Sequence, residues 1–268
     1  MLSLASTLTG AWNEAECPIL ICLLGRFHLL KAGRPVAVAN SGKTSTLLCS
    51  LALHPDYSVP RDTLLDILWP NRDAILAVQS LNSLISSLRK AFIDAIGGAD
   101  FILHTEGAYR LNIEAGVNVD IACFDALANA GNQQAREGNP AQAAACYERA
   151  IYLYHGDLFG GTDVHTVTER ERLRARHLTL LVHLADYYFA QNDYSAALAY
   201  ARRLLDYEPC REDAHRMLMR CYVRRGERAQ ALHQYRVCCD MLRVEFDAPP
   251  EPATTALFEQ VRHDPSSI

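Results

Sequence analysis

The sequence predicts an α+β segment followed by an all-α segment. Three observations carry this reading. Up to about residue 118, short extended runs alternate with helical ones. Beyond it, Ala, Leu, Arg and Tyr recur at helical spacing and almost no strand pattern survives. Within that second half, two alanine-anchored patterns begin 34 residues apart, at Ala197 and Ala231, the spacing of a repeated helical hairpin.

The first segment opens with an apolar run at residues 19–24, followed by Arg26-Phe27-His28-Leu29-Leu30. Lys31-Ala32-Gly33-Arg34 supplies a turn, and residues 35–39 read as extended again. Together they make a small antiparallel sheet. Ser41 is a candidate N-cap for a helix over 44–54, stopped by Pro55. A second helix covers 61–69, introduced by Pro60 and ended by Pro70. A third covers 75–96, with Leu81, Leu84, Ile85, Leu88 and Phe92 on one face and Gly97-Gly98 at its end. Residues 101–104 and 109–113 then pair as a hairpin around Thr105-Glu106-Gly107-Ala108. Three helices followed by a hairpin is the order of a winged helix-turn-helix domain, here preceded by extra strands.

The second segment carries the patterns Ala143-x3-Tyr147-x2-Ala150, Ala197-x3-Ala201-x2-Leu204 and Ala231-x3-Tyr235-x2-Cys238. Small and larger residues at this spacing fit the second helix of a tetratricopeptide repeat. Ala185 and Tyr188 take the small and aromatic positions of a preceding helix, and Pro209 takes the closing proline. The first two patterns begin 54 residues apart, so an insertion is expected between them, placed at 154–164. A helical hairpin cannot bury its apolar face alone, and stacking buries it, with alanines letting backbones approach.

Composition narrows the function. Of 268 residues, 50% are hydrophobic and 21% charged, enough to bury a core and keep a hydrated surface. No apolar run approaches a membrane span. Residues 1–16 lack a basic start and read as a flexible arm rather than a secretory signal. The nine cysteines include no C-x-x-C pair, so neither a metal site nor a disulfide framework is expected, and a cytoplasmic location is. Residues 1–120 hold nine Lys and Arg against eleven Asp and Glu, a net of −2. The remainder holds 17 against 20, a net of −3. Neither half is basic, which weighs against nucleic acid, because affinity there rests on cations that neutralise phosphates.

The segments LLGRFHLLKAGRPV, PRDTLLDILWP, QSLNSLISSLRKAF and TEGAYRLNI follow one another over about 95 residues. In order and spacing they resemble the DNA-binding domain of the Streptomyces antibiotic regulatory protein family. EPCREDAHRMLMRCYVRRGERAQALHQY resembles the bacterial transcriptional activator domain that follows it there. The resemblance covers roughly residues 18–262. It implies a DNA-binding winged helix over 17–117, an activator domain over 118–262 and a tail over 263–268. The implied activity is transcription regulation without catalysis. The winged helix docks on repeated promoter sites in double-stranded DNA, and the helical domain meets RNA polymerase or another copy. No receiver segment is read before the first half and no ATPase module after the second, so neither phosphorylation nor nucleotide-driven switching is expected. No cofactor is expected either.

In a winged helix the third helix enters the major groove. Its outward face here is Gln79, Asn82, Ser83, Ser86, Ser87 and Lys90. Gln and Asn pair with adenine in two-point fashion, and Ser contacts bases or phosphates. The family often carries Arg near the positions of Val78, Ser86 or Ser87, and this chain does not. A second reading therefore stays open: an interaction module whose winged helix has lost specific DNA binding. Arg89 and Lys90 occupy the family's basic pair, and one of them is expected to reach phosphate. Tyr109 and Arg110 match its Gly-Tyr-Arg-Leu signature, with Ala108 in place of the glycine. Arg110 is a candidate DNA contact, and Tyr109 reads as core.

Lys43 and Thr44, at the start of the first helix, are candidate phosphate contacts. Ser41-Gly42-Lys43-Thr44 resembles the end of a P-loop, but that motif needs glycine at position 37, which is Ala37, so no nucleotide is expected. Arg216, Arg220 and Arg224 form one helical stripe. It is either a solvated face paired with Glu212, Asp213 and Glu227 or a contact for an acidic partner. Asp157 and Asp163 flank Gly160-Gly161 in a loop and suggest no acid–base pair.

Overall fold

The computed structural model describes residues 18–38, 41–71, 73–161, 164–265 and 268. The expected arm at 1–16, together with Cys17, Ala39, Asp163 and part of the expected tail, lies outside them. The chain forms two compact units. One runs to Leu127 and takes in Tyr152–Leu173. The other holds Ala128–Ile151 and Arg174–Ile268.

In the first unit, β1 (Ile19–Cys22), β2 (His28–Lys31) and β3 (Arg34–Val36) form the expected antiparallel meander. Ala32 and Gly33 turn the chain with φ of 45° and 71°, the two-residue geometry that matches strand twist. A fourth strand, β7 (Val117–Val119), completes the order β3-β2-β1-β7 and runs parallel to β1, with Ile19 opposite Val117. β1 therefore has neighbours on both sides. Every residue from Ile19 to Leu24 is buried, which explains why the sequence there is continuously apolar rather than alternating.

Three helices follow: α1 (Ser41–Leu53), α2 (Arg61–Leu68) and α3 (Ala74–Phe92). α1 begins at Ser41, ahead of the expected residue 44. Their cores are Leu47, Leu48 and Leu51, then Leu64 and Leu68, then Leu81, Leu84, Ile85, Leu88 and Phe92. α3 is shorter than expected. The chain tightens into a 3-10 turn at Ile93–Ile96, and Gly97 ends it at φ 60°. Phe92 stacks on Phe101, centroids 4.9 Å apart.

The wing is a three-stranded sheet in the order β4-β6-β5, built from β4 (Ser58–Pro60), β5 (Ile102–Thr105) and β6 (Ala108–Leu111). Its tip is Glu106-Gly107, φ 52° and 78°, again a two-residue turn. The Gly107 carbonyl accepts from the Arg61 N–H at 2.9 Å, joining the tip to the start of α2.

The remaining helices are α4 (Asp120–Arg136), α5 (Pro140–Leu153), α6 (Val164–Ala190), α7 (Tyr194–Tyr207), α8 (Glu212–Arg224), α9 (Arg228–Phe246) and α10 (Pro252–His263). In the second unit they stack as helical hairpins. Ala185 on α6, Ala197 and Ala201 on α7, and Leu218 and Cys221 on α8 share one core. Met219, Ala231, Leu257 and Val261 form the next, where Tyr235 stacks on Phe258 with centroids 4.1 Å apart. The expected insertion is resolved into a loop after α5 and an α6 of 27 residues. In the first unit that loop returns to β1: the Phe159 N–H donates to the Leu23 carbonyl at 2.7 Å, and the Gly25 N–H to the Asp157 carbonyl at 3.0 Å. Asp120 is buried at the first turn of α4. Its Oδ2 accepts the N–H groups of Leu23 and Leu24 at 2.7 and 2.8 Å.

Candidate nucleic-acid interface

The third helix of the winged helix is set by its own amphipathicity. Ala77, Leu81, Leu84, Ile85 and Leu88 are buried, and the opposite face is left in water. Gln79, Asn82, Ser83, Ser86, Ser87 and Lys90 are all exposed on it. The structure thus brings together on α3 every residue expected there. The Tyr109 hydroxyl donates to Asn82 Oδ1 at 3.4 Å, a long bond that ties the wing to the helix. Tyr109 itself is core and stacks on His104, centroids 4.5 Å apart.

The two basic residues of the helix separate. Arg89 turns inward: its Nη2 donates to the Ile102 carbonyl at 2.9 Å, and its Nε lies 3.2 Å from Asp100 Oδ1. Lys90 is exposed and has no ion pair among the described residues. Of the expected pair, then, Lys90 is the one whose side chain is left in water. Arg110 lies on β6 between Ser58 and Leu103, and its Nε is covered without a hydrogen bond among the described residues.

The first helix departs from expectation. Thr44 is fully buried in α1, so its side chain is withdrawn from any phosphate. Lys43 remains at the surface but caps α2, donating from Nζ to the Leu68 carbonyl and lying 5.7 Å from the Trp69 ring centroid. Burial of the helix's inner face takes Thr44, and the open carbonyl end of α2 takes Lys43. Lys43, Trp69, Leu76, Gln79, Ser80, Ser83 and Leu84 line one open groove of about 490 Å³.

The N-terminus of α3 is closed. Asp73 Oδ1 accepts from the Ile75 and Leu76 N–H groups at 2.9 and 3.2 Å. A carboxylate already holds the donors that a phosphate would use. Beside it, Ile75 and Leu76 stand 69% and 51% exposed. These two were missed in the sequence, where they read as the apolar start of a helix. The available signal was their place four residues ahead of Gln79 and Ser80.

In the second unit the arginine stripe breaks up. Arg216 Nη1 donates to Glu251 Oε2 at 3.0 Å and to Thr254 Oγ1 at 2.8 Å, which ties α8 to the start of α10. It is a structural tie and is not open to a partner. Arg220 and Arg224 are exposed. The expected pairing with acidic neighbours takes other forms: Arg211 meets Asp213, and Arg225 meets Glu227, each at 2.8 Å. Among the described residues no group of three or more His, Cys, Asp and Glu is placed to hold a metal, and no helix is long and apolar enough to cross a membrane.

A winged helix joined to tetratricopeptide-like hairpins defines a two-part architecture. Residues 119–262 match the family described as bacterial transcriptional activator domain, and the chain belongs to that family. Over 252 residues it is 25% identical to the regulatory protein AfsR of Streptomyces coelicolor, an alignment that covers 94% of this chain and 25% of AfsR. It is 26% identical over 195 residues to the regulatory protein DnrI of Streptomyces peucetius, covering 69% of this chain and 71% of DnrI. The chain thus spans a quarter of one of these relatives and most of the other. Its fold is similar to that of Mycobacterium tuberculosis EmbR, solved in complex with a low-affinity phosphopeptide. The TM-score is 0.68 at 24% identity, over 91% of this chain and 65% of the other.

Proposed function

We propose that this chain is a cytoplasmic transcription regulator that acts by binding, without catalysis, nucleotide or other cofactor. The winged helix, residues 17–117, docks α3 in the major groove of promoter DNA. The helical domain, residues 118–262, meets RNA polymerase or a second copy, with Arg220 and Arg224 as its exposed cations. The observation that carries this reading is the polar face of α3, where six outward residues are exposed while the opposite stripe is buried. Gln79 and Asn82 supply base contacts, and the serines supply base or backbone contacts. Lys90 and Arg110 supply phosphate contacts. With so few cations at the interface, single-site affinity is modest and strength comes from repeated sites.

The test is a mobility-shift titration of the full chain against promoter fragments from its own locus, repeated over a salt series. The expected result is a retained complex at low salt that survives excess random duplex and weakens as salt rises. No specific complex at low salt overturns the proposal in favour of a pure interaction module.

A further inference from the structure

The first turn of α3 presents two branched aliphatic side chains to water, Ile75 at 69% and Leu76 at 51% exposure. Ile75 stands four residues before Gln79, with Asn82 and Ser86 following on the same row. Leu76 leads the adjacent row through Ser80, Ser83 and Ser87 to Lys90. Residues three and four apart share a helix face, so the aliphatic pair continues the polar stripe rather than lying beside it. Leu76 also shares the groove with Gln79, Lys43 and Trp69.

Resting on the DNA-binding reading above, we infer that Ile75 and Leu76 read thymine methyl groups, and that with Gln79 they make the leading half of α3 a reader of A·T base pairs. Three points support this. The N-terminal residues of a recognition helix are those that reach base edges. In the major groove the apolar feature of a base pair is the thymine C5-methyl, and the amide partner of adenine is Gln or Asn. Guanine is read chiefly by Arg or Lys; among the described residues the leading half of this face has neither, and Lys43 in the groove beside it is held by the Leu68 carbonyl. Arg89 is held by Asp100 and Ile102, and Lys90 lies 15 residues beyond Ile75, about 22 Å along the helix. The Asp73 cap further disfavours a phosphate at this end, which leaves the groove floor as the partner for the two side chains.

The experiment selects duplexes from a random pool with the full chain, then replaces single thymines of the enriched site by deoxyuridine, which removes only the methyl. Enriched sites should carry A·T pairs. At one or two thymines the replacement should weaken binding about fourfold, the worth of one buried methyl-sized group. Ile75→Ala and Leu76→Ala should bind the two duplexes alike. Because the decisive change is made in the DNA, the test does not depend on a variant folding. Enrichment of a site whose thymines can all be replaced without loss overturns this inference and leaves the DNA-binding reading standing. Enrichment of G·C-only sites does the same. No enrichment overturns both.

Discussion

Adjacent residues of the same charge have opposite roles here. Arg89 is half covered and holds the Ile102 carbonyl and the Asp100 carboxylate, so it joins α3 to the foot of the wing. Lys90, one position on, points to water. Arg89→Ala is expected to lower stability by about 1–2 kcal/mol, the worth of a charge-assisted bond near the surface, measured by urea unfolding. Lys90→Ala is expected to leave stability unchanged and to reduce the log–log salt slope of DNA binding by about 1. A stability loss in both variants, or in neither, would mean that the division between tie and contact is wrong. Sequence alone could not divide them. It places two cations at the end of a helix, and the 100° step between neighbours decides which one turns inward.

At the scale of elements, the helices of the first unit were legible, and two of its short strands, β4 and β7, were not. The buried stripe of α3, from Ala77 to Phe92, repeats over about four turns, so periodicity reveals it. β4 and β7 have three residues each, too few for a period-2 pattern, and only their partners make them strands. Pro60 ends β4 and introduces α2 at once, so its strand role was hidden behind its helix role. Asp120 was not singled out in the sequence, because its burial depends on β1, nearly a hundred residues away. The tyrosines of the second unit show the same limit. Tyr188 on α6 was legible as the aromatic position of its repeat helix, and Tyr200 on α7 was not singled out. The structure adds that both hydroxyls donate to Glu148 Oε1 on α5, at 2.5 and 3.0 Å, with their rings stacked 5.6 Å apart. The carboxylate pushes the Tyr188 phenol up to about 12. Glu148→Ala strands two half-buried hydroxyls and is expected to cost about 1–3 kcal/mol, read as a lower urea midpoint by far-UV circular dichroism. Tyr200→Phe alone should cost less, because Tyr188 keeps its partner. Equal losses would mean that packing, not the shared carboxylate, joins the three helices.

At the scale of the whole molecule, the two units carry buried ionisable groups with opposite pH behaviour. In the first, burial pushes Asp120 up to about 7 from 3.8, against the pull of the Leu24 and Leu23 N–H groups. Its Oδ1 has no hydrogen bond among the described residues. In the second, burial aided by nearby Arg203 lowers His177 to about 3 from 6.5. The signs follow from which state holds the proton. As pH falls through 7, folded Asp120 takes up a proton that the unfolded chain, with its lower pKa, does not, so the first unit gains stability down to about pH 4. As pH falls through 6.5, unfolded His177 takes up a proton that the folded unit refuses, so the second unit loses stability. Each slope is about 1.4 kcal/mol per pH unit inside its window. His155, lowered by burial in the first unit, opposes Asp120 below 6.5, so the variant Asp120→Asn is needed to isolate the carboxyl. Asparagine keeps an acceptor for Leu23 and Leu24 without a charge to desolvate. It should exceed the unaltered chain in stability at pH 8, and the gap should narrow markedly by pH 5 and close near pH 4. Trp69 belongs to the first unit, so urea unfolding followed by tryptophan fluorescence reports that unit. A gap that does not change between pH 8 and pH 5 would mean that Asp120 is ionised in the fold, and that the β1–α4 junction is held by a charge rather than by a neutral acid.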